Sequence, residues 1–340
     1  MITKKFDILS GDYESAVKEA SAILIADGIV ALPTETVYGL AACAYSDSAI
    51  KKVFTAKGRP QDNPLIVHIS NMDMLKVVAK DIPECAYKCA ERFWPGPLTM
   101  VLKKTDKVAK SVSAGLDTVA VRMPSEKSIR DIIDCSGLPL AAPSANISGA
   151  PSPTTYKHCL KDLDGKIDAI VMGNDCEVGV ESTVVALFGS KPRLLRPGAV
   201  TLEELKTVLP DIEVDKAILK EPEKDAKVAS PGMKYKHYAP KTDAFLVEGD
   251  SENYAKFVNE KENALALCFN EDLPLITVKA LAYGTKADEK TLAKNVFAAL
   301  RNVDSFGVSE VYIHAPSKSG VGLAVYNRLI RAAAFRVIEL

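Results

Sequence analysis

At 340 residues the chain exceeds the usual single domain, which predicts two domains. Its hydrophobic fraction of 47% and charged fraction of 26% are those of an ordinary globular protein, and a formal net charge of −1 argues against a protein whose main business is gripping nucleic-acid backbone. No run nears the ~18 apolar residues that span a bilayer, and Met1 to Asp7 shows no charged-then-apolar leader. Seven scattered cysteines without Cys-x-x-Cys predict reduced, mostly buried thiols in a cytoplasmic protein, and four histidines far apart give no structural-zinc spacing.

Taken in chain order, residues 13–26 carry helical periodicity through Ala16, Val17, Ala20, Ile23 and Leu24, with Gly28 as the stop. A buried strand follows over Gly28–Leu32. At its tip come Thr34, Glu35, Thr36 and Tyr38. Ligands of α/β proteins bind beyond the carboxyl ends of strands, so this polar cluster points to a ligand. A helix over 46–56 leads into Lys57-Gly58-Arg59-Pro60, then Asn63, Pro64 and a strand over Leu65–Ile69 containing His68. Lys57 alone reads best as part of a solvated basic turn. The whole run of Thr, Glu, Thr, Tyr, Lys, Arg, Asn and His predicts a site for an anionic ligand, because Arg offers a planar fork and Lys a point charge.

Asn71 predicts a helix cap over 72–80, and Pro83 a helix start over 83–93. A rigid turn at Trp94-Pro95-Gly96-Pro97 separates that helix from strands at 98–102 and 118–124, with Ser125 expected to cap a helix to about Cys135. Further strands are expected at 138–143, 168–172 and 182–187. Strands and helices alternate throughout, which implies an α/β layer structure.

Three more strand ends carry small polar loops: Pro143 to Gly149, Gly179 to Val185, and Leu195-Arg196-Pro197-Gly198. Each alone could be a turn with local hydrogen bonds. Together they suggest backbone that approaches an anion closely, although no Gly-x-x-x-x-Gly-Lys-Ser/Thr loop occurs.

Thr201 and Glu204 form a capping box for a helix ending near Leu209. Residues 214–229 read as a charged linker. It ends in Ser230-Pro231-Gly232-Met233-Lys234-Tyr235-Lys236-His237-Tyr238-Ala239-Pro240, too rich in Tyr, Lys and His for an idle tether and suited to reach back over the first domain. Beyond it, strands are expected at 244–247, 264–269, 310–314 and 336–340, and helices at 251–260, 287–302 and 321–334. Gly320-Val321-Gly322 lacks the third glycine of a dinucleotide fingerprint and reads as helix-start geometry.

These motifs give the chain its resemblance: it is similar to the two-domain threonylcarbamoyl-AMP synthases. The residues that carry it are Pro33–Leu40, Lys57–Pro60, Pro143–Gly149, Glu181–Val184, Leu195–Gly198 and Ser230–Pro240. The resemblance implies an open twisted mixed-sheet YrdC-like domain with a concave cavity over 1–205, a linker that covers the active site over 206–241, and a smaller Rossmann-like α/β domain over 242–340. It implies a nucleotidyltransferase that joins L-threonine, bicarbonate and ATP, with Mg²⁺, into L-threonylcarbamoyladenylate and releases pyrophosphate. A tRNA threonylcarbamoyl transferase complex would use the product, with room for a weak tRNA contact.

By the same resemblance, Thr36, His68, Arg122 and Ser182 hold threonine. ATP falls to Lys57, Arg59, Asn63, Thr118, Ala142, Ser144, Ser152, Arg196 and Tyr238, and Lys57, Arg59 and His68 count as catalytic. His68 and Glu35 are candidates for a general base, a satisfied structural role being at least as good a reading of Glu35. The resemblance names no metal ligands. Other readings are an RNA-binding module, against which stand the near-zero charge and 6% aromatic content, and another carbamoyl-adenylate enzyme, whose extra zinc-finger cysteines are missing from this sequence.

Overall fold

The computed structural model describes residues 2–61, 63–220 and 238–340, so most of the Tyr-, Lys- and His-rich strap, including its Ser230–His237 part, lies outside the described residues. The first unit runs β1 (Lys4–Asp7), α1 (Tyr13–Ile25), β2 (Val30–Leu32), β3 (Gly39–Cys43), α2 (Asp47–Lys57), β4 (Ile66–His68), α3 (Met72–Val78), β5 (Ala79–Lys80) and α4 (Glu84–Phe93). It continues β6 (Leu98–Lys104), β7 (Thr118–Arg122), α5 (Lys127–Ser136), β8 (Leu140–Ala141), α6 (Tyr156–Leu163), β9 (Ala169–Met172), β10 (Thr183–Ala186), β11 (Arg193–Arg196), α7 (Leu202–Lys206) and β12 (Glu213–Val214). Its strands form one mixed sheet in the order β1-β9-β2-β3-β8-β4-β7-β6-β10-β11-β12, with β5 on β6.

The second unit comprises β13 (Asp243–Glu248), α8 (Ser251–Asn259), β14 (Ala264–Cys268), β15 (Lys279–Ala282), α9 (Glu289–Asn302), β16 (Glu310–His314), α10 (Gly322–Ala332) and β17 (Val337–Glu339). Its five strands lie β15-β14-β16-β13-β17, and every pairing is parallel. In chain order that is third, second, fourth, first, fifth, a different order from the usual dinucleotide-binding sheet.

Local chemistry explains the element boundaries. Asp12, Ser46 and Asn71 each accept a backbone N–H at a helix start. The Thr201–Glu204 capping box closes in both directions. Ser125 does not cap α5: Glu126 takes that place, accepting from Ser128 N, and the Ser125 amide donates to the Glu35 carboxylate. Strand β3 is absent from the sequence reading because Gly39–Cys43 is buried on both faces and shows no alternation. Residues 213–214 are a strand of the first sheet, and Ile218 packs in its core, so the charged stretch begins as folded structure.

The two units share their interior. Val37 and Val180 of the first pack with the core of the second, and Leu323 of α10 packs with the core of the first. All of α10 is buried, as expected of a helix sandwiched between layers. Arg301 on α9 holds Asp162 through two nitrogens, at 3.1 and 2.7 Å, and the Pro151 carbonyl at 2.6 Å. Asn327 and Arg331 donate to the carbonyls of Ile218 and Ala217.

Gly179 marks the tightest approach. Its φ is +78°, and a β-carbon there would lie 2.4 Å from Lys294 Cα and 2.5 Å from the Ala293 carbonyl oxygen. Gly179→Ala should therefore destabilise the protein by on the order of 1–3 kcal/mol. It should lower the thermal midpoint accordingly; an unchanged midpoint would mean that α9 does not abut this loop.

Candidate functional site

The concave side of the first sheet holds a cavity enclosing about 780 Å³, mouth included. Sheet register assembles its floor. His68 on β4 pairs with Arg122 on β7, and Arg122 pairs with Thr99 on β6. The Thr99 hydroxyl lies 2.7 Å from the Ser182 hydroxyl. Residues far apart in sequence thus form one row across adjacent strands.

Arg122 is built into that row. Nε donates to the Gly96 carbonyl, which the Trp94–Pro97 turn presents, and Nη1 donates to Thr36 Oγ1 at 2.8 Å. Nη2 lies 2.7 Å from Glu35 Oε2, a buried ion pair. Burial alone would raise the Glu35 pKa, but the Arg122 charge, its hydrogen bond and the Ser125 amide outweigh burial and hold the carboxyl below its usual range. Glu35 is therefore an ionised structural partner of Arg122, which removes it as a general base.

The other polar groups at the tip of β2 divide. The Thr34 hydroxyl donates to the Val37 carbonyl at 2.6 Å and lies 2.9 Å from Thr36 Oγ1, so the Thr36 hydroxyl donates to Thr34 while accepting from Arg122. Thr34 and Thr36 line the cavity. Tyr38 turns into the core instead, bonding Gly173 through its hydroxyl, so the phenol is a structural group rather than part of the ligand surface.

His68 is buried on the floor with Nδ1 unpartnered. Burial, then the nearby Arg122 charge, pushes its pKa down to about 3. The imidazole is neutral at physiological pH, fit to give or accept a hydrogen bond and a weak base.

On the opposite wall, Lys57 reaches the carbonyls of Ser144 and Asn146 at 2.5 and 2.6 Å, while its own carbonyl accepts from Ser148 N. Burial, followed by the charge of Arg59, drives its pKa well down. Lys57 thus staples the Pro143–Gly149 loop into its curve, and Arg59 lines the cavity beside it. Arg196, at the end of β11, donates to the Ser182 carbonyl at 3.1 and 2.9 Å and to its hydroxyl at 3.2 Å. Burial, then the Arg328 charge, lowers its pKa to about 10. Gly198 is what lets this turn close, since a β-carbon there would lie 2.3 Å from Thr183 N.

Thr36, Lys57, Arg59, His68, Arg122, Ala142, Ser144, Ser182, Arg196 and Tyr238 all line the cavity. Three expected residues do not. Asn63 is buried next to the lining residue Pro64, with both side-chain polar atoms unpartnered. Ser152 donates to Glu181 Oε1 at 2.6 Å. Thr118 begins β7, ~13 Å along the strand from Arg122, a span within reach of an extended ligand. Tyr238 is buried, with φ +64°, and its ring lies 5.0 Å from Phe297 of α9.

Sequence reasoning assigned no part to Glu181, Asn146 or Arg328. Glu181 lines the cavity and is paired with Arg328; its place beside Ser182 was the available signal. For Arg328 the signal was an arginine within an apolar helix. The second unit offers no comparable constellation among the described residues: the loop before α10 is closed by Glu289, whose carboxylate accepts from Ser317 Oγ and Gly322 N. That agrees with reading Gly320-Val321-Gly322 as helix-start geometry. All seven cysteines are free, five of them buried. No described helix is long and apolar enough to cross a membrane.

A concave YrdC-like sheet with an arginine-lined cavity, backed by a parallel-sheet domain, defines a class of two-domain α/β enzyme. Residues 22–198 match the family model described as "Telomere recombination", and residues 200–334 match "Threonylcarbamoyl-AMP synthase, C-terminal domain". The chain is 43% identical over 336 residues to the threonylcarbamoyl-AMP synthase of Pyrococcus abyssi, covering 96% of each chain. It is 43% identical over 334 residues to that of Bacillus subtilis, covering 95% of this chain and 94% of the relative. The crystal structure of P. abyssi Sua5 complexed with L-threonine superposes with a TM-score of 0.89 at 40% identity, over 100% of both chains. The chain belongs to the threonylcarbamoyl-AMP synthase family, in its two-domain form.

The depressed His68 pKa has a stability consequence. Unfolded, the imidazole takes a proton below its ordinary value of 6.5; folded, it stays neutral down to about 3. Stability therefore falls as pH drops below 6.5, by ~1.4 kcal/mol per pH unit from this group at full effect. His68→Gln should show a shallower loss of denaturant midpoint between pH 6.5 and 5 than the parent. Equal slopes would mean that His68 is protonated in the folded protein.

Proposed function

We propose that this protein is a nucleotidyltransferase that makes L-threonylcarbamoyladenylate from L-threonine, bicarbonate and ATP, with release of pyrophosphate. The observation that carries the reading is the buried, unpartnered His68 Nδ1 on the cavity floor, one strand over from the Arg122 guanidinium that Glu35, Thr36 and Gly96 hold in place. Buried polar groups rarely go unsatisfied, and those at a cavity surface await a ligand. The relative crystallised with L-threonine supports an amino acid as that ligand.

Arg122 would take the threonine carboxylate on its remaining N–H groups, its angle already set by Thr36, Gly96 and Glu35. Neutral His68, Thr36 and Ser182 would read the hydroxyl and amine. The amine would attack bicarbonate carbon and lose water to give a carbamate. A carbamate oxygen would then attack the α-phosphorus of ATP, the α–β P–O bond would break, and pyrophosphate would leave.

Arg59 and Arg196 would stabilise phosphate charge, with the stapled Pro143–Gly149 backbone and Ala142 cradling the nucleotide. Asn63, Thr118 and Tyr238 would contact it further along. Lys57 and Ser152 would act through the loop and the carboxylate that they hold. Mg²⁺ would enter as part of the ATP substrate, bound by its phosphates. Glu35 and Glu181 are both engaged by arginines, and no three of His, Cys, Asp and Glu cluster among the described residues. Catalysis then consists of positioning and fixed charge, with no covalent enzyme intermediate. The adenylate would pass to the complex that modifies the adenosine beside the anticodon of tRNAs reading codons that begin with A.

Purified protein should release pyrophosphate from ATP only with both threonine and bicarbonate present. Arg122→Lys should raise the threonine KM ~10–100-fold, since it loses a charged bidentate contact. Valine, which lacks the hydroxyl, should be rejected far more strongly than serine, which lacks one methyl. Release that ignores threonine, or valine turned over as well as serine, would sink the reading.

A further inference from the structure

The cavity wall nearest the second domain contains two buried cations and one buried carboxylate. Glu181 lines the cavity, accepting from Ser152 at 2.6 Å on Oε1 and from Arg328 Nε at 2.9 Å on Oε2. Arg328, fully buried on α10, also donates to the Glu181 carbonyl at 3.1 Å and to the Pro197 carbonyl at 2.6 Å. Both carbonyls flank machinery: Glu181 precedes Ser182, and Pro197 follows Arg196. One guanidinium therefore clamps the two strands of chain that present Ser182 and Arg196.

We propose that Arg328 is a positioning residue for the nucleotide end of the cavity, supplied by the C-terminal domain. Its charge cancels Glu181, which otherwise faces the phosphates as a bare carboxylate. Its fork fixes the Pro197 and Glu181 carbonyls, which keeps Arg196 on Ser182 and turned to the cavity. Without it, Arg196 is the remaining arginine whose charge acts on Glu181, and a pairing between those two draws Arg196 away from Ser182. The second domain is then an integral wall of the site rather than a support behind it. This deepens the adenylation reading and rests on it.

The test is steady-state pyrophosphate release by the full chain, with KM for ATP and for threonine measured separately alongside the thermal midpoint. Arg328→Gln is expected to raise the ATP KM by about tenfold or more, with a smaller change in the threonine KM. Adding Glu181→Gln should bring the ATP KM back to within about threefold of the parent, because both buried charges then go together. A purely structural role would lower the midpoint without this charge-specific rescue.

Arg328→Lys keeps the charge but cannot hold the carboxylate and both carbonyls at once. It should give an intermediate ATP KM, and it carries the test if Arg328→Gln does not fold. A parent-like ATP KM in either folded single variant, or a double variant no better than Arg328→Gln, would overturn the proposal. If the parent itself shows no threonine-dependent release, the functional reading falls instead, and calorimetric ATP binding to parent and variants reads the Arg328 effect alone.

Discussion

The buried ion pair between Arg328 and Glu181 is the constraint on which the two halves of this molecule depend. An isolated charge in a protein interior is costly, and losing one member of a buried pair typically costs ~3–5 kcal/mol. Glu181 can sit in the cavity wall as an ionised group because Arg328, Arg196 and Ser152 outweigh the penalty of its burial. Arg328 can sit fully buried because Glu181 and three carbonyls receive its donors. The fit of α10 against the cavity loops is thus an electrostatic requirement as well as a packing one.

The same logic organises the rest of the site. Glu35 and Arg122 form a second buried pair on the floor, and the amino group of Lys57 is held by backbone carbonyls rather than by a carboxylate. Each charged group near the cavity is first satisfied by protein and then aimed. A site built this way needs little reorganisation when a charged ligand arrives, which is how fixed dipoles and charges lower barriers. It also explains why some conspicuous motif residues do not face the ligand. Tyr38 and Glu35 shape the loop at the tip of β2, and Thr36 between them reaches the cavity.

Much of the architecture was legible from residue patterns. Helices with a capping residue and a clean apolar stripe, such as α1 and α2, follow from local chemistry. Strand β3 was not legible, because Gly39–Cys43 has both faces covered and no alternation, and β11 was marked only by the polar loop at its end, since Arg193–Arg196 places arginines at both ends of a four-residue strand. The cap of α5 falls at Glu126, one residue beyond Ser125, whose amide is held by Glu35 90 residues away, a contact that no local rule could foresee.

By itself the sequence determined the α/β class, the positions of the polar loops at strand ends and the near absence of net charge. These are local properties, set by periodicity, turn chemistry and composition, whereas the individual ligand-site residues were named through the resemblance to a known family. Tertiary structure alone decided how those residues work: which charges pair, that His68 is neutral, that Lys57 staples a loop, and that Arg328 crosses from the second domain. Protonation and hydrogen-bond commitment depend on burial and on neighbours brought together by sheet register and domain packing. A linear chain does not contain those distances.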